Sequence, residues 1–148
     1  MFLTDYDFIY EETLKLLNNE DCSDKPRLGR FLVDEMARDK NAVVSICEIL
    51  MMHLLKCLYQ KERTSRSWHN TILNTHRTLE EYTTESKNLY NHLVTNFDKC
   101  YKIARRKASN ETRLDINTFP INNIFEINNL INLDWILNFL DEHPIQIW

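Results

Sequence analysis

A single glycine, Gly29, and three prolines, Pro26, Pro120 and Pro144, are all that this 148-residue chain holds of the two residues that most readily punctuate a backbone. Tight hairpins and β-bulges call on glycine for positive φ, so a chain this poor in it is steered away from many-stranded sheets. No segment alternates apolar and polar residues for long enough to make a strand, and no repeat with a period of 20 to 50 residues is visible. The expectation is an all-α fold, a compact bundle of about five to six helices joined by short polar loops. With 43% apolar and 27% charged residues the usage is ordinary for a globular protein. A chain of this length fits one domain over residues 1–148, large enough to bury roughly 68–70% of its unfolded surface.

Apolar spacing places the helices. Thr4 with Asp7 resembles a capping box, and Tyr6, Tyr10, Leu14 and Leu17 recur at helical intervals up to Asn18 and Asn19. Ser23 or Asp24 can cap a second helix, with Pro26 in its first turn and Leu28, Phe31, Leu32 and Met36 as its stripe. Asp39 or Asn41 can start a third, in which Val43, Ile46, Cys47, Leu50, Met51, Leu54 and Leu58 form a band wide enough to be central. No Gly or Pro separates Met36 from Ala42, so spacing leaves open whether these are two helices or one. After the polar run Gln60–Ser67, Trp68, Ile72, Leu79 and Tyr82 mark a fourth helix, which Thr83 and Thr84 interrupt. Leu89, Leu93, Phe97, Cys100, Tyr101, Ala104 and Ala108 mark a fifth. Residues 118–123 form a loop, Ile124, Ile127, Leu130 and Ile131 begin a short terminal helix, and Trp135–Leu140 extend or follow it.

The formal charge of −4 conceals a division. Residues 1–24 hold seven acids and one lysine, and residues 114–148 hold five acids and no Lys or Arg. The middle, 25–113, carries 17 Lys plus Arg against 10 acids. That balance suits an anionic partner, or an acidic end folding across it. Cys22, Cys47, Cys57 and Cys100 make no CxxC pair, and Asp5, Asp7, Glu11 and Glu12 break up the N-terminal apolar residues, so reduced cytoplasmic thiols without a cleavable signal are expected. Val43–Leu58 is the most apolar stretch. Glu48, His53 and Lys56 fall inside it and it is shorter than the ~20 residues of a membrane span, so a buried core helix and no membrane association are expected.

Two linked motifs resemble a known family. His53-Leu54-Leu55-Lys56, then Tyr59-Gln60 and Glu62-Arg63-Thr64-Ser65-Arg66-Ser67-Trp68, resemble the central signature of the bacterial domain of unknown function 29 family. Tyr101-Lys102-Ile103-Ala104-Arg105-Arg106 with Glu111-Thr112, Leu114 and Thr118-Phe119-Pro120 resemble its second signature. Leu32–Arg38 is similar to the block before the central helix, and Phe125–Trp135 to the family's terminal turn. The resemblance covers about residues 4–135 and leaves 136–148 as an extra tail. Ala37 stands where glycine is typical, which weakens a break between the second and third helices, and Lys61 replaces a frequent proline. The family implies a helical, bacterial, cytoplasmic protein and supplies no activity, cofactor or catalytic residue.

Several groups of residues could carry chemistry. Arg63, Arg66 and Trp68 share a loop and helix start, where guanidinium forks can hold a phosphate or carboxylate and the indole can stack on a base. Equally, an arginine can pair with an acid from another helix while Trp68 anchors the core. Lys102, Arg105, Arg106, Lys107 and Arg113 make a basic patch suited to phosphates, and cations near a helix C-terminus also complement its dipole. His53 and Cys57 share one helical face, as do His69, His76 and Glu80, but nothing shows four ligands converging. No metal and no cofactor is therefore assigned. His53 is read as a hydrogen-bonded core residue, His76 as solvated, and Cys47 and Cys100 as packing residues.

Arg63 precedes His69 by six residues, similar to the spacing in HEPN-type ribonucleases, where imidazole moves a ribose proton and arginine stabilises the phosphorane. The family's signature would place a basic residue other than histidine at position 69. No Gly-rich phosphate loop, zinc-finger spacing, GxSxG elbow or His-Glu-x-x-His motif is present. The sequence is best read as a non-enzymatic binding or interaction module. Its candidate contact residues are Arg63, Arg66, Trp68, Lys102, Arg105 and Arg106, and Trp135, Phe139 and Trp148 are possible apolar anchors in the tail. A protein partner or a second copy of the chain is preferred to nucleic acid, with the Arg63–His69 ribonuclease as a further alternative.

Overall fold

A computed structural model describes residues 5–18, 20 and 24–147. Thr4, Cys22, Ser23 and Trp148, to which the sequence assigned roles, lie outside them. The described residues contain six α-helices and no strand: α1 (Asp5–Leu17), α2 (Lys25–Tyr59), α3 (Arg66–Glu85), α4 (Lys87–Thr112), α5 (Ile127–Leu130) and α6 (Leu133–Glu142), with single 3-10 turns at Lys61–Arg63 and Ile116–Thr118. The all-α expectation holds. The chain divides into two compact units, Met1–Asp39 and Lys40–Trp148.

In the first unit Tyr10, Leu14 and Leu17 of the stripe expected on α1 are exposed, while the Tyr6 side chain lies outside the described ones. Tyr10 is 67% and Leu17 74% accessible, whereas Phe8 and Glu12 are buried. The Arg27 guanidinium lies 4.0 Å above the Phe8 ring, a cation–π contact that a search for apolar spacing does not see. Asp24 caps α2 by accepting from the Arg27 amide at 3.0 Å, and Pro26 occupies the first turn, where its missing N–H costs nothing.

The question left open between the second and third expected helices is settled as one helix, because Ala37 offers the backbone no reason to stop. By length and composition α2 could cross a bilayer, with a mean hydropathy of 1.7 over its most apolar window. More than half of that window, 56%, is buried inside the protein, as befits a core helix.

In the Lys40–Trp148 unit, Val43, Cys47, Leu50, Met51, Leu54, Leu55 and Cys57 of α2 are fully buried. Ile72 and Leu79 of α3, Leu93, Cys100, Tyr101, Ala104 and Ala108 of α4, and Leu130, Ile136, Phe139 and Leu140 of α5 and α6 belong to the same core. The expected break at Thr83 and Thr84 does not occur. Thr83 returns its hydroxyl to the Leu79 carbonyl at 2.8 Å, which satisfies it inside the helix, and α3 runs on to Glu85. The helix ends instead at Ser86, whose amide bonds to the Tyr82 carbonyl while its hydroxyl accepts from the Leu89 amide and caps α4. The terminal helix starts at Ile127 rather than Ile124. With no glycine on hand, the left-handed cap of α4 falls to Arg113, at φ 62°.

Candidate functional site

The two sequence motifs fold into one cluster, at the end of the Lys40–Trp148 unit where α2 stops and α4 finishes. Lys56 faces inward on α2 with its side chain 8% exposed. Its ammonium lies 3.7 Å from the Glu111 carboxylate of α4 and 4.5 Å above the Trp68 ring of α3. Tyr59 meets Phe119 edge to face at 5.4 Å. Phe119 belongs to the loop after α4, which hangs from α4 by two bonds: the Tyr101 hydroxyl donates to the Pro120 carbonyl at 2.7 Å and Arg105 Nε donates to the Phe119 carbonyl at 3.0 Å. Each motif thus supplies what the other lacks. Lys56, which with Glu48 and His53 falls inside the apolar Val43–Leu58 run, was the sequence signal for this arrangement, since a buried ammonium needs an anionic or aromatic neighbour.

The Arg-rich loop is held by its backbone and by the tail. Ser65 caps α3 by accepting from the Trp68 amide, and the Gln146 amide donates to the Thr64 carbonyl at 2.9 Å. His69 Nε2 donates to the His143 carbonyl at 2.7 Å. A carbonyl only accepts, so this nitrogen carries the proton and is engaged 74 residues away rather than turned toward Arg63. The Arg63 and Arg66 side chains are exposed and make no ion pair or hydrogen bond among the described residues. Trp68 is half-buried against the core, which is the anchoring role. On α4, Lys102 and Arg106 are exposed, Arg105 is half-buried and committed to Phe119, and Lys107 reaches Glu48 at 4.0 Å.

Burial sets the chemistry of the titratable groups here. The His53 ring bonds to the Ile49 carbonyl at 2.9 Å, as expected of a core residue, and its pKa is lowered by desolvation, with the Lys56 charge adding to the effect. Burial pushes the Cys57 thiol up to about 11, which makes it a poor nucleophile. Cys47 is raised chiefly by its thiol contact with Cys100. Both are buried and free, as packing residues should be.

One expectation fails outright: His76 is not solvated. It is 2% exposed, and its Nδ1 donates to the Leu130 carbonyl at 2.8 Å, tying α3 to α5. Helical spacing places it on the buried face with Ile72, Leu79 and Thr83. Among the described residues no cluster of three or more His, Cys, Asp or Glu could hold a metal.

An all-α chain whose central helix and basic fourth helix are joined through two linked motifs is thus defined. It belongs to the family described as Domain of unknown function DUF29, whose model matches residues 1–136. No curated protein and no solved structure matches the chain. The family match ends inside α6, so Gln146 and His143, which brace the Arg-rich loop, lie outside it.

Proposed function

We propose that this chain is a cytoplasmic, non-catalytic interaction module that uses the arginine-bearing end of its Lys40–Trp148 unit to hold an acidic protein partner. The observation that carries the reading is that the Arg63 and Arg66 side chains stand exposed, without a hydrogen bond or ion pair among the described residues, on a loop whose backbone is tied at Lys61, Thr64 and Ser65. A pre-ordered loop loses less entropy on binding, and guanidinium forks match carboxylates two bonds at a time. A protein is favoured over nucleic acid because the nearby cations are interleaved with Glu62, Glu111 and Asp115 and with the exposed Tyr59 and Ile116. Arginine and aromatics among mixed charges suit a protein interface, whereas phosphate backbones call for unbroken positive charge. Free, buried Cys47, Cys57 and Cys100 support a reducing compartment.

The test is fluorescence anisotropy of labelled Glu/Asp-rich peptides containing aromatic residues, titrated with the purified chain at two salt concentrations. Salt-sensitive binding that is lost in the Arg63→Glu/Arg66→Glu double variant is the expected result. Equal binding by that variant overturns the assignment of the surface. Binding of a mixed RNA and DNA pool in place of the peptides, with the same dependence on Arg63 and Arg66, overturns the choice of partner.

A further inference from the structure

His76 of α3 holds a nitrogen that the fold leaves without a hydrogen bond. Its Nδ1–H is fixed by the Leu130 carbonyl, so in the neutral ring the other nitrogen, Nε2, presents a lone pair. Nε2 is buried and hydrogen-bonds to nothing among the described residues. The Glu80 carboxylate, one turn along the same helix face, approaches it to 3.3 Å but off the direction of a hydrogen bond. In the neutral ring two acceptors thus face each other, and the repulsion is relieved either by a proton on Nε2, which makes the contact an ion pair, or by a metal ion between the two atoms. They line a cavity of about 250 Å³ together with Leu73, Asn74, Arg77 and Leu133. The Arg77 guanidinium, also at this cavity, donates to the Asn74 side-chain amide oxygen Oδ1 at 3.5 Å rather than to Glu80.

From this geometry we infer that His76 Nε2 and Glu80 Oε2 form a two-residue site for a divalent transition-metal ion of the imidazole-preferring class, open to water or a further ligand on the cavity side. Three features support it. With metal–nitrogen and metal–oxygen bonds of about 2.0–2.2 Å, a tetrahedral centre separates two ligand atoms by about 3.3–3.5 Å, which is the spacing found here. A ligating imidazole needs its other nitrogen fixed by a hydrogen bond to set the tautomer and the ring plane, and Leu130 supplies that bond. A half-exposed carboxylate paired with a neutral imidazole suits zinc, nickel or copper rather than calcium or magnesium, which take oxygen ligands. The site lies in α3 and α5 and uses none of the arginines of the proposed interaction surface, so either reading can fail without the other.

The experiment is titration of the purified, metal-stripped full chain with zinc chloride by isothermal calorimetry, with the histidine ring resonances followed by NMR. Saturable binding of one zinc per chain is expected, with the His76 ring signals shifting first. Glu80→Gln should weaken binding at least about tenfold while leaving the fold intact, since that side chain is 49% exposed. His76→Gln should do the same, with circular dichroism reporting whether the buried change still folds. His92→Gln, elsewhere in the core unit, should bind as the parent does. No saturable zinc binding overturns the proposal, as does binding that Glu80→Gln leaves unchanged or that His92→Gln abolishes.

Discussion

Replacing Lys56 and Glu111 one at a time should give unequal losses of stability, and the inequality follows from where each charge sits. The Lys56 side chain is 8% exposed and that of Glu111 is 51%. Lys56→Met keeps the aliphatic stem against Trp68, removes the only buried charge of the pair, and leaves a carboxylate that water already solvates. The lost cation–π contact and the screened ion pair are each worth about 0.5–1 kcal/mol, and the relieved desolvation of the ammonium opposes them. The net change should fall within about 1 kcal/mol of the parent. Glu111→Gln does the reverse and strands the buried ammonium over an indole. Breaking a fully buried pair costs roughly 3–5 kcal/mol, and half-exposure of Glu111 discounts this to about 1–2 kcal/mol. In a chain of this size that is a fall in Tm of about 3–8 °C. Urea denaturation followed by tryptophan fluorescence and far-ultraviolet circular dichroism measures both variants. If Glu111→Gln loses no more than Lys56→Met, the cluster is not organised around a buried lysine and the reasoning fails.

Arg113→Gly should stabilise the protein by about 0.5–1 kcal/mol, because a side chain now occupies the left-handed cap of α4, and thermal melting reads this directly. His53 gives a pH dependence of definite sign. Its folded pKa lies below the ordinary 6.5, so its contribution is complete above 6.5 and shrinks as pH falls toward the folded value, where the unfolded chain binds the extra proton. His53→Gln should flatten the stability–pH curve in that acid window, and an unchanged slope would argue that the ring is not desolvated. At pH 8 a thiol with a pKa of about 11 is roughly 0.1% ionised, against about 10% for one at 9.0, so iodoacetamide should alkylate Cys57 at least about a hundredfold more slowly than a free thiol, as followed by mass spectrometry.

What the sequence made legible, and what it did not, divides along physical lines. The three-and-four apolar rhythm located α3, α4 and the buried half of α2, because those stripes face a core within one unit. It misplaced the buried face of α1, where an arginine over Phe8 does work that the pattern assigns to Tyr10 and Leu17. Thr83 looked like a break because threonine competes with the backbone, yet its hydroxyl is satisfied within the helix. The roles of His76 and Lys56 were hidden for a shared reason: a polar side chain on a buried register is explained only by its partners. Those partners, Leu130 and Glu111, lie 54 and 55 positions away in the chain. The bonds from residues 143 and 146 to the Arg-rich loop are likewise long-range and carry no local signature.

Most of the two family motifs is therefore accounted for by folding. Lys56, Tyr59, Trp68, Tyr101, Arg105, Glu111 and Phe119 each have a named internal contact, and a substitution at any of them should be felt as stability. The Arg63 and Arg66 side chains have none among the described residues, so the fold gives no reason for two guanidinium groups on so firmly held a loop. Charge reversal at both should leave stability within about 0.5 kcal/mol of the parent, as for surface positions without partners. A much larger loss would mean that these arginines do have internal partners and that the loop is structural. Unchanged stability together with lost peptide binding would separate their role from that of every other residue in the motifs.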